Sequence, residues 1–244
     1  MCAPLDSAPF YADDALVAGR PPCAGSANCN GACSRIAATL APPANVNAKA
    51  AEPTDILDQL PLKIADDFTA DILKPYRAHA KYLKSAEITS FCDKSAATDF
   101  TSDTSLVTAK GRFAIPESCY IDDTGHFNAV EFNICYNQLA YVLFGKCIEA
   151  GLLGRLRREK VNVLSFPEFK RHQLPSMVIV SIESRYYKQL QSDDFTGELV
   201  LNKISSVGDA WFFFTTISFA DRGGVKAKGS VVLAFSPSFD PVRH

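Results

Sequence analysis

The stretch Asn128-Ala129-Val130-Glu131-Phe132-Asn133-Ile134-Cys135-Tyr136-Asn137-Gln138-Leu139-Ala140-Tyr141-Val142-Leu143-Phe144-Gly145-Lys146-Cys147-Ile148-Glu149-Ala150 decides the fold. Asn128 suits an N-cap, because its side-chain oxygen can accept one of the orphaned N–H groups of a first helical turn. Glu131 stands three residues on, in the capping-box position, and Gly151 can end the helix. Apolar residues from Val130 to Ile148 wrap most of the circumference, and a helix that is apolar nearly all round is a buried one.

The flanking sequence has to supply the cover. Downstream lie four β-rich runs, Met177 to Leu190, Phe195 to Val207, Ala210 to Ala220 and Val225 to Ser236. Asp221-Arg222-Gly223-Gly224 reads as a hairpin connector, with glycines where positive φ is needed. Upstream, Ala86 to Phe91 and Ser105 to Phe113 lean towards strand around a polar loop and suggest a hairpin. From Leu62 onward Ile64, Phe68, Ile72 and Leu73 fall at helical spacing until Pro75 enforces a stop, while Ser165-Phe166-Pro167-Glu168 reads as a turn. One long buried helix is fully covered only if a sheet curls around it, which mostly antiparallel strands can do. The pattern therefore predicts an α+β chain with a curled antiparallel sheet around one central helix, the hotdog architecture. Periodicity alone also fits a β-sandwich or an open α+β sheet.

Composition sets the remaining bounds. The hydrophobic share of 47% and the 17 Phe of this 244-residue chain provide for a core without staples. Residues 1–55, rich in Ala, Pro, Ser, Asn and Gly, read as a poorly ordered extension, and residues 56–240 as the hotdog domain. A net charge of -2 lacks the positive field that nucleic-acid binders use, so nucleic acid is set aside. The absence of a signal peptide or an apolar run of spanning length predicts no membrane span and a cytoplasmic protein. Reduced thiols follow, with Cys119, Cys135 and Cys147 as small core residues. Cys23, Cys29 and Cys33 have spacings that support a zinc site poorly, so no metal and no cofactor is expected.

The densest polar cluster runs from Glu117 to Glu131 into the buried helix. It sets Gly125, His126 and Asn128 at a helix N-terminus, where free N–H groups and the helix dipole suit an oxyanion or enolate oxygen. Asn128 and Glu131 also read simply as a cap. His126 can trade a proton near neutrality, or can be a structural histidine. Asn137 lies among apolar neighbours, where an unpaired amide costs about 1–3 kcal/mol, so it either bonds the backbone of a facing strand or faces a ligand.

In Lys74-Pro75-Tyr76, in Glu117-Ser118-Cys119-Tyr120-Ile121 with Thr124-Gly125-His126-Phe127-Asn128-Ala129-Val130-Glu131, and in Cys135-Tyr136-Asn137-Gln138-Leu139-Ala140-Tyr141, the chain resembles the FcoT-like hotdog thioesterase family. That family includes a mycobacterial long-chain acyl-CoA thioesterase and enzymes of isonitrile-lipopeptide biosynthesis. His172-Gln173-Leu174 with Ser176-Met177, and Ser184-Arg185, extend the resemblance over about residues 60–236. Only Cys119 departs, replacing a small residue. The resemblance implies a catalytic set of Tyr76, Tyr120 and Asn137. It also implies addition of glycine across the double bond of a (2E)-enoyl thioester on an acyl carrier protein, an enoyl-ACP glycyltransferase of carbon–nitrogen lyase type, in some members with thioester hydrolysis. Hydrolysis of a long-chain fatty acyl-CoA is the alternative, and a non-catalytic acyl-binding protein a third reading. A homodimer or an assembly of dimers is a further implication.

Michael addition needs a base for the ammonium proton and donors for the enolate oxygen. His126 or Glu131 can serve as the base, and helix-terminal N–H groups with Asn137 or Tyr120 as the donors. The glycine carboxylate needs an anchor, for which Lys81, Arg185 and His172 are the candidates. Arg155, Arg157, Arg158 and Lys160 read either as a contact for phosphopantetheine or an acidic carrier, or as a solvated charged segment.

Overall fold

The computed structural model describes residues 59–92, 105–122, 127–155, 165–208 and 210–236. The expected extension over residues 1–55, the residues Gly125 and His126, and the basic residues Arg157, Arg158 and Lys160 lie outside the described residues.

In chain order the elements are β1 (Leu62–Lys63), α1 (Asp66–Ile72), a 3₁₀ turn (Ala78–Ala80), β2 (Leu83–Phe91), β3 (Val107–Phe113), α2 (Ala129–Glu149), α3 (Leu152–Arg155), α4 (Phe166–His172), β4 (Met177–Tyr186), β5 (Phe195–Val207), β6 (Ala210–Asp221) and β7 (Gly224–Phe235). The long helix expected from Asn128 to Ala150 is α2, with those two residues as its N-cap and C-cap. Two readings are corrected. Leu62 and Lys63 pair with Ile88 and Glu87 of β2, so the first helix begins only at Asp66. Ser165-Phe166-Pro167-Glu168 is the start of α4, whose first turn is held by a Ser165–Glu168 capping box.

Among the described residues, seven strands form one sheet in the order β1-β2-β3-β5-β6-β7-β4. Every neighbouring pair is antiparallel. Register shifts in β2, β4 and β5 bend the strands, since a bulge increases local twist, and the sheet curls around α2. This is the expected hotdog architecture. At the reversal between β6 and β7, Gly224 adopts φ 90°, which a side chain would resist.

The core lies between α2 and the concave sheet face. At the start of the helix, Phe132 packs edge-on to Phe219, and Phe127 to both Phe195 and Phe219. Near its end Phe144 meets Phe213, with ring centroids 4.7 Å apart. Each such buried ring stabilises the fold by about 1.5–3 kcal/mol relative to an exposed one. Midway, the Tyr136 hydroxyl lies 2.8 Å from that of Thr215, whose own O–H donates to the Val231 carbonyl, so both of these buried hydroxyls are satisfied. Gly229 of β7 sits where a Cβ would come within 2.6 Å of the Phe132 ring and closer still to the Glu183 carbonyl oxygen. The close approach of helix and sheet at this end depends on that missing side chain. No helix among the described residues is long and apolar enough to cross a membrane.

Candidate active site at the start of the central helix

The first turn of α2 is tied to the Glu117–Tyr120 segment by a closed set of hydrogen bonds. The Asn128 side-chain oxygen accepts from the Val130 N–H at 2.8 Å, and the Asn128 N–H donates to Glu131 Oε2 at 3.4 Å. Glu131 is 0% exposed, and its other oxygen accepts from the Ser118 hydroxyl at 3.1 Å. Ser118 Oγ in turn takes the Tyr120 N–H at 3.5 Å, while the Asn128 amide donates to the Tyr120 phenolic oxygen at 2.6 Å. A buried carboxylate is tolerated here because it is paired with donors and lies at the positive end of a helix.

Three groups feel the charge of this carboxylate. Burial foremost, and then the Glu131 charge, push the Cys135 thiol well up. Burial also raises the Tyr186 phenol, with the Glu131 charge adding to it. The Tyr82 phenol is raised by burial first, then by its contact with Cys119 and by Glu131, and its hydroxyl donates to the Glu117 carbonyl at 3.3 Å. Tyr186 comes from the inner face of β4, where its ring meets Phe132 at 5.9 Å.

Further along the helix lies Asn137, half-buried. Its amide donates to Asn133 Oδ1, one turn back, at 3.4 Å, and not to a facing strand. The neighbouring Gln138 makes the backbone bonds: its carbonyl accepts from the Tyr82 and Leu83 N–H groups at 3.0 and 2.9 Å, and its amide donates to the Ala80 carbonyl at 2.6 Å. Lys81, held between these anchored residues, is half-buried. Burial raises the Tyr76 phenol, with Tyr141 and Cys135 adding to the effect, which sets Tyr76 beside the middle of the helix. Such phenols stay protonated at neutral pH, so Tyr76, Tyr82, Tyr136 and Tyr141 can act there as O–H donors and not as bases.

The structure thus gathers Tyr120, Asn128 and Glu131 at the helix start, and Tyr76, Lys81 and Asn137 about its middle. Two expected anchors stand elsewhere. Arg185 faces the outer side of the sheet opposite Lys228, bonded to Glu183 at 2.8 Å. It lines a groove of about 480 Å³ there, with Glu198, Thr216 and Ser218. His172 ends α4, with Nδ1 3.2 Å from Ser176 Oγ. Phe169 of that helix packs at Gly145, about 20 Å along α2 from Glu131 at 1.5 Å per residue. Sequence reasoning missed Gln138, although the cost of an unpaired amide, argued for Asn137, applies to it more strongly. It also missed Ser118 and Tyr186, whose approach to Glu131 depends on tertiary structure.

The FcoT-like thioesterase domain matches residues 71–235 of the chain. A (2E)-enoyl-[ACP] glycyltransferase from Streptomyces coeruleorubidus is 35% identical over 171 residues, which cover 67% of this chain and 92% of that protein. A protein of the same name from Mycobacterium tuberculosis (strain ATCC 25618 / H37Rv) is 34% identical over 178 residues, covering 70% of this chain and 86% of its own. Among solved structures, the dehydratase domain from the CurJ module of curacin polyketide synthase aligns with a TM-score of 0.43 at 13% identity, over 84% of this chain and 58% of that one. By the span of the domain match and the identity to these relatives, the chain belongs to the FcoT-like thioesterase domain family.

Proposed function

We propose that the protein is a cytoplasmic enzyme that adds glycine across the double bond of a (2E)-enoyl thioester carried on an acyl carrier protein, in biosynthesis of the isonitrile-lipopeptide type. The observation that carries this reading is the 35% identity to a (2E)-enoyl-[ACP] glycyltransferase over 92% of that protein. The donor set around α2 supports it. The chemistry resides in one hotdog domain, residues 56–240.

Glycine enters with its amine neutral. The nitrogen forms a bond to the β-carbon, the C=C π pair moves towards the thioester, and negative charge gathers on the carbonyl oxygen. The O–H groups of Tyr120 and Tyr76 and the Asn137 amide are the donors this chain offers to such an oxygen, Tyr120 at the helix start and Tyr76 with Asn137 about its middle, and a donor of this kind gains strength as the charge develops. The ammonium proton leaves to a base and a proton reaches the α-carbon, so N–H adds across C=C with no redox partner. Glu131 has no exposed surface and both of its oxygens accept hydrogen bonds, so its part is to hold the helix start. The base is His126, with Gly125 beside it allowing close approach of the ligand. Lys81, which makes no ion pair among the described residues, is the anchor for the glycine carboxylate.

The working unit is a homodimer. Among the described residues β4 ends the sheet, and its Val180 and Ile182 are 56% and 43% exposed. A long apolar edge strand left bare is a pairing and aggregation liability, which a second copy would remove. The test of the function is whether turnover of an enoyl-carrier thioester yields an N-substituted glycine adduct. Glycine-independent release of free acid is the outcome of the hydrolase reading.

A further inference from the structure

We propose that Asn128 is a positioning residue that aims the Tyr120 hydroxyl proton at the thioester oxygen, beyond its service as helix cap; the inference rests on the function proposed above. The orientation of its amide is fixed. Because the Val130 N–H must meet an acceptor, the side-chain oxygen faces the helix and the NH₂ faces Tyr120, 2.6 Å from the phenolic oxygen. That oxygen is therefore an acceptor towards Asn128, and its own proton points elsewhere. Tyr120 is 48% exposed, so packing alone does not hold its ring. What holds it is the circuit: its N–H on Ser118, Ser118 on Glu131, Glu131 on the Asn128 N–H, and the Asn128 amide on its hydroxyl. Backbone and side chain of Tyr120 are both referred to one buried carboxylate. An amide donating into the phenolic oxygen also polarises the O–H and strengthens it as a donor to a developing enolate.

The substitution Asn128→Asp separates the two roles. Aspartate caps a helix as well as asparagine does and suits the dipole, but it offers Tyr120 an acceptor where the amide offered a donor. The phenolic proton would then turn towards residue 128 and away from the substrate. The experiment compares wild type, N128D, N128S, Y120F and Y120F/N128D in melting temperature and in kcat and KM for an enoyl-carrier thioester. The expected result for N128D is an unchanged melting temperature and KM, with kcat lowered about 10²-fold, the scale of losing one oxyanion donor. Y120F should fall by a similar factor and the double variant no further. N128S, which caps without an amide, should also lose kcat and so stands in if N128D folds poorly. Wild-type kcat in N128D or N128S, or wild-type kcat in Y120F, overturns the inference. If wild type only hydrolyses the thioester, glycine addition falls, and the same variants read on hydrolysis still decide the role of Asn128.

Discussion

Gln138, in the middle of α2, accepts the backbone N–H of Tyr82 at 3.0 Å across 56 residues of sequence, and with Leu83 and Ala80 it pins the start of β2 to the central helix. Gln138→Ala strands two buried N–H groups and one carbonyl, at about 1–3 kcal/mol each. Urea melts should show a loss of at least about 3 kcal/mol. Gln138→Glu, which keeps an acceptor for the two N–H groups but loses the donor to Ala80, should lose less than Ala.

Gly229 faces the Phe132 ring and the Glu183 carbonyl. Gly229→Ala should destabilise the fold by about 1–3 kcal/mol through overpacking, read as a lower thermal midpoint. A neutral outcome would mean that helix and sheet can separate at this end without cost.

A salt clasp joins α1 to α4. Asp71 bonds Lys170, and Lys74 at 2.7 Å. The Lys170 hydrogen bond first, and that of Lys74 second, hold its carboxyl below the usual value. A depressed folded-state value favours the ionised, folded form. The stabilisation is therefore fully present above the unfolded value of about 3.9 and disappears as pH falls through the lower folded value. The difference in stability between wild type and Asp71→Asn should be steady from neutrality down to about pH 5, at about 0.2–1 kcal/mol, and shrink below about pH 4.

If β4 is the dimer edge, the double substitution Val180→Asp/Ile182→Asp should convert the protein to a monomer in light scattering while each chain stays folded. A wild-type protein that is monomeric at working concentration would contradict the pairing.

Asn137→Ala should lower kcat by about 10²–10³ with the fold intact, the cost of removing an oxyanion-type donor. His126→Ala should flatten the acid limb of the pH–rate profile, because a base must be deprotonated to act.

The helix and its caps were legible because local signals agreed: Asn128 and Glu131 at the capping positions, apolar residues all round, and Gly151 after the end. The β6–β7 reversal was legible from its glycines. Strand faces were less so, and Arg185 shows why. Counting by twos from the buried Met177 sends Arg185 inward, but the register shift between Ile179 and Ser181 reverses the alternation and turns it outward beside Lys228. A bulge of this kind leaves little mark in sequence. The start of α4 carries its own local signal, since Ser165 and Glu168 have capping-box spacing. The hydrogen-bonded circuit from Ser118 to Tyr120 was hidden, because it joins residues through a buried carboxylate whose neighbours only the tertiary structure specifies.

The most direct test of the account is intact-mass spectrometry of a (2E)-enoyl-carrier-protein substrate incubated with the wild-type enzyme, with and without glycine. Glycine addition predicts a carrier species heavier by one glycine that forms only when glycine is present. Free acid released at the same rate in both reactions, with no glycine adduct on the carrier, would contradict it.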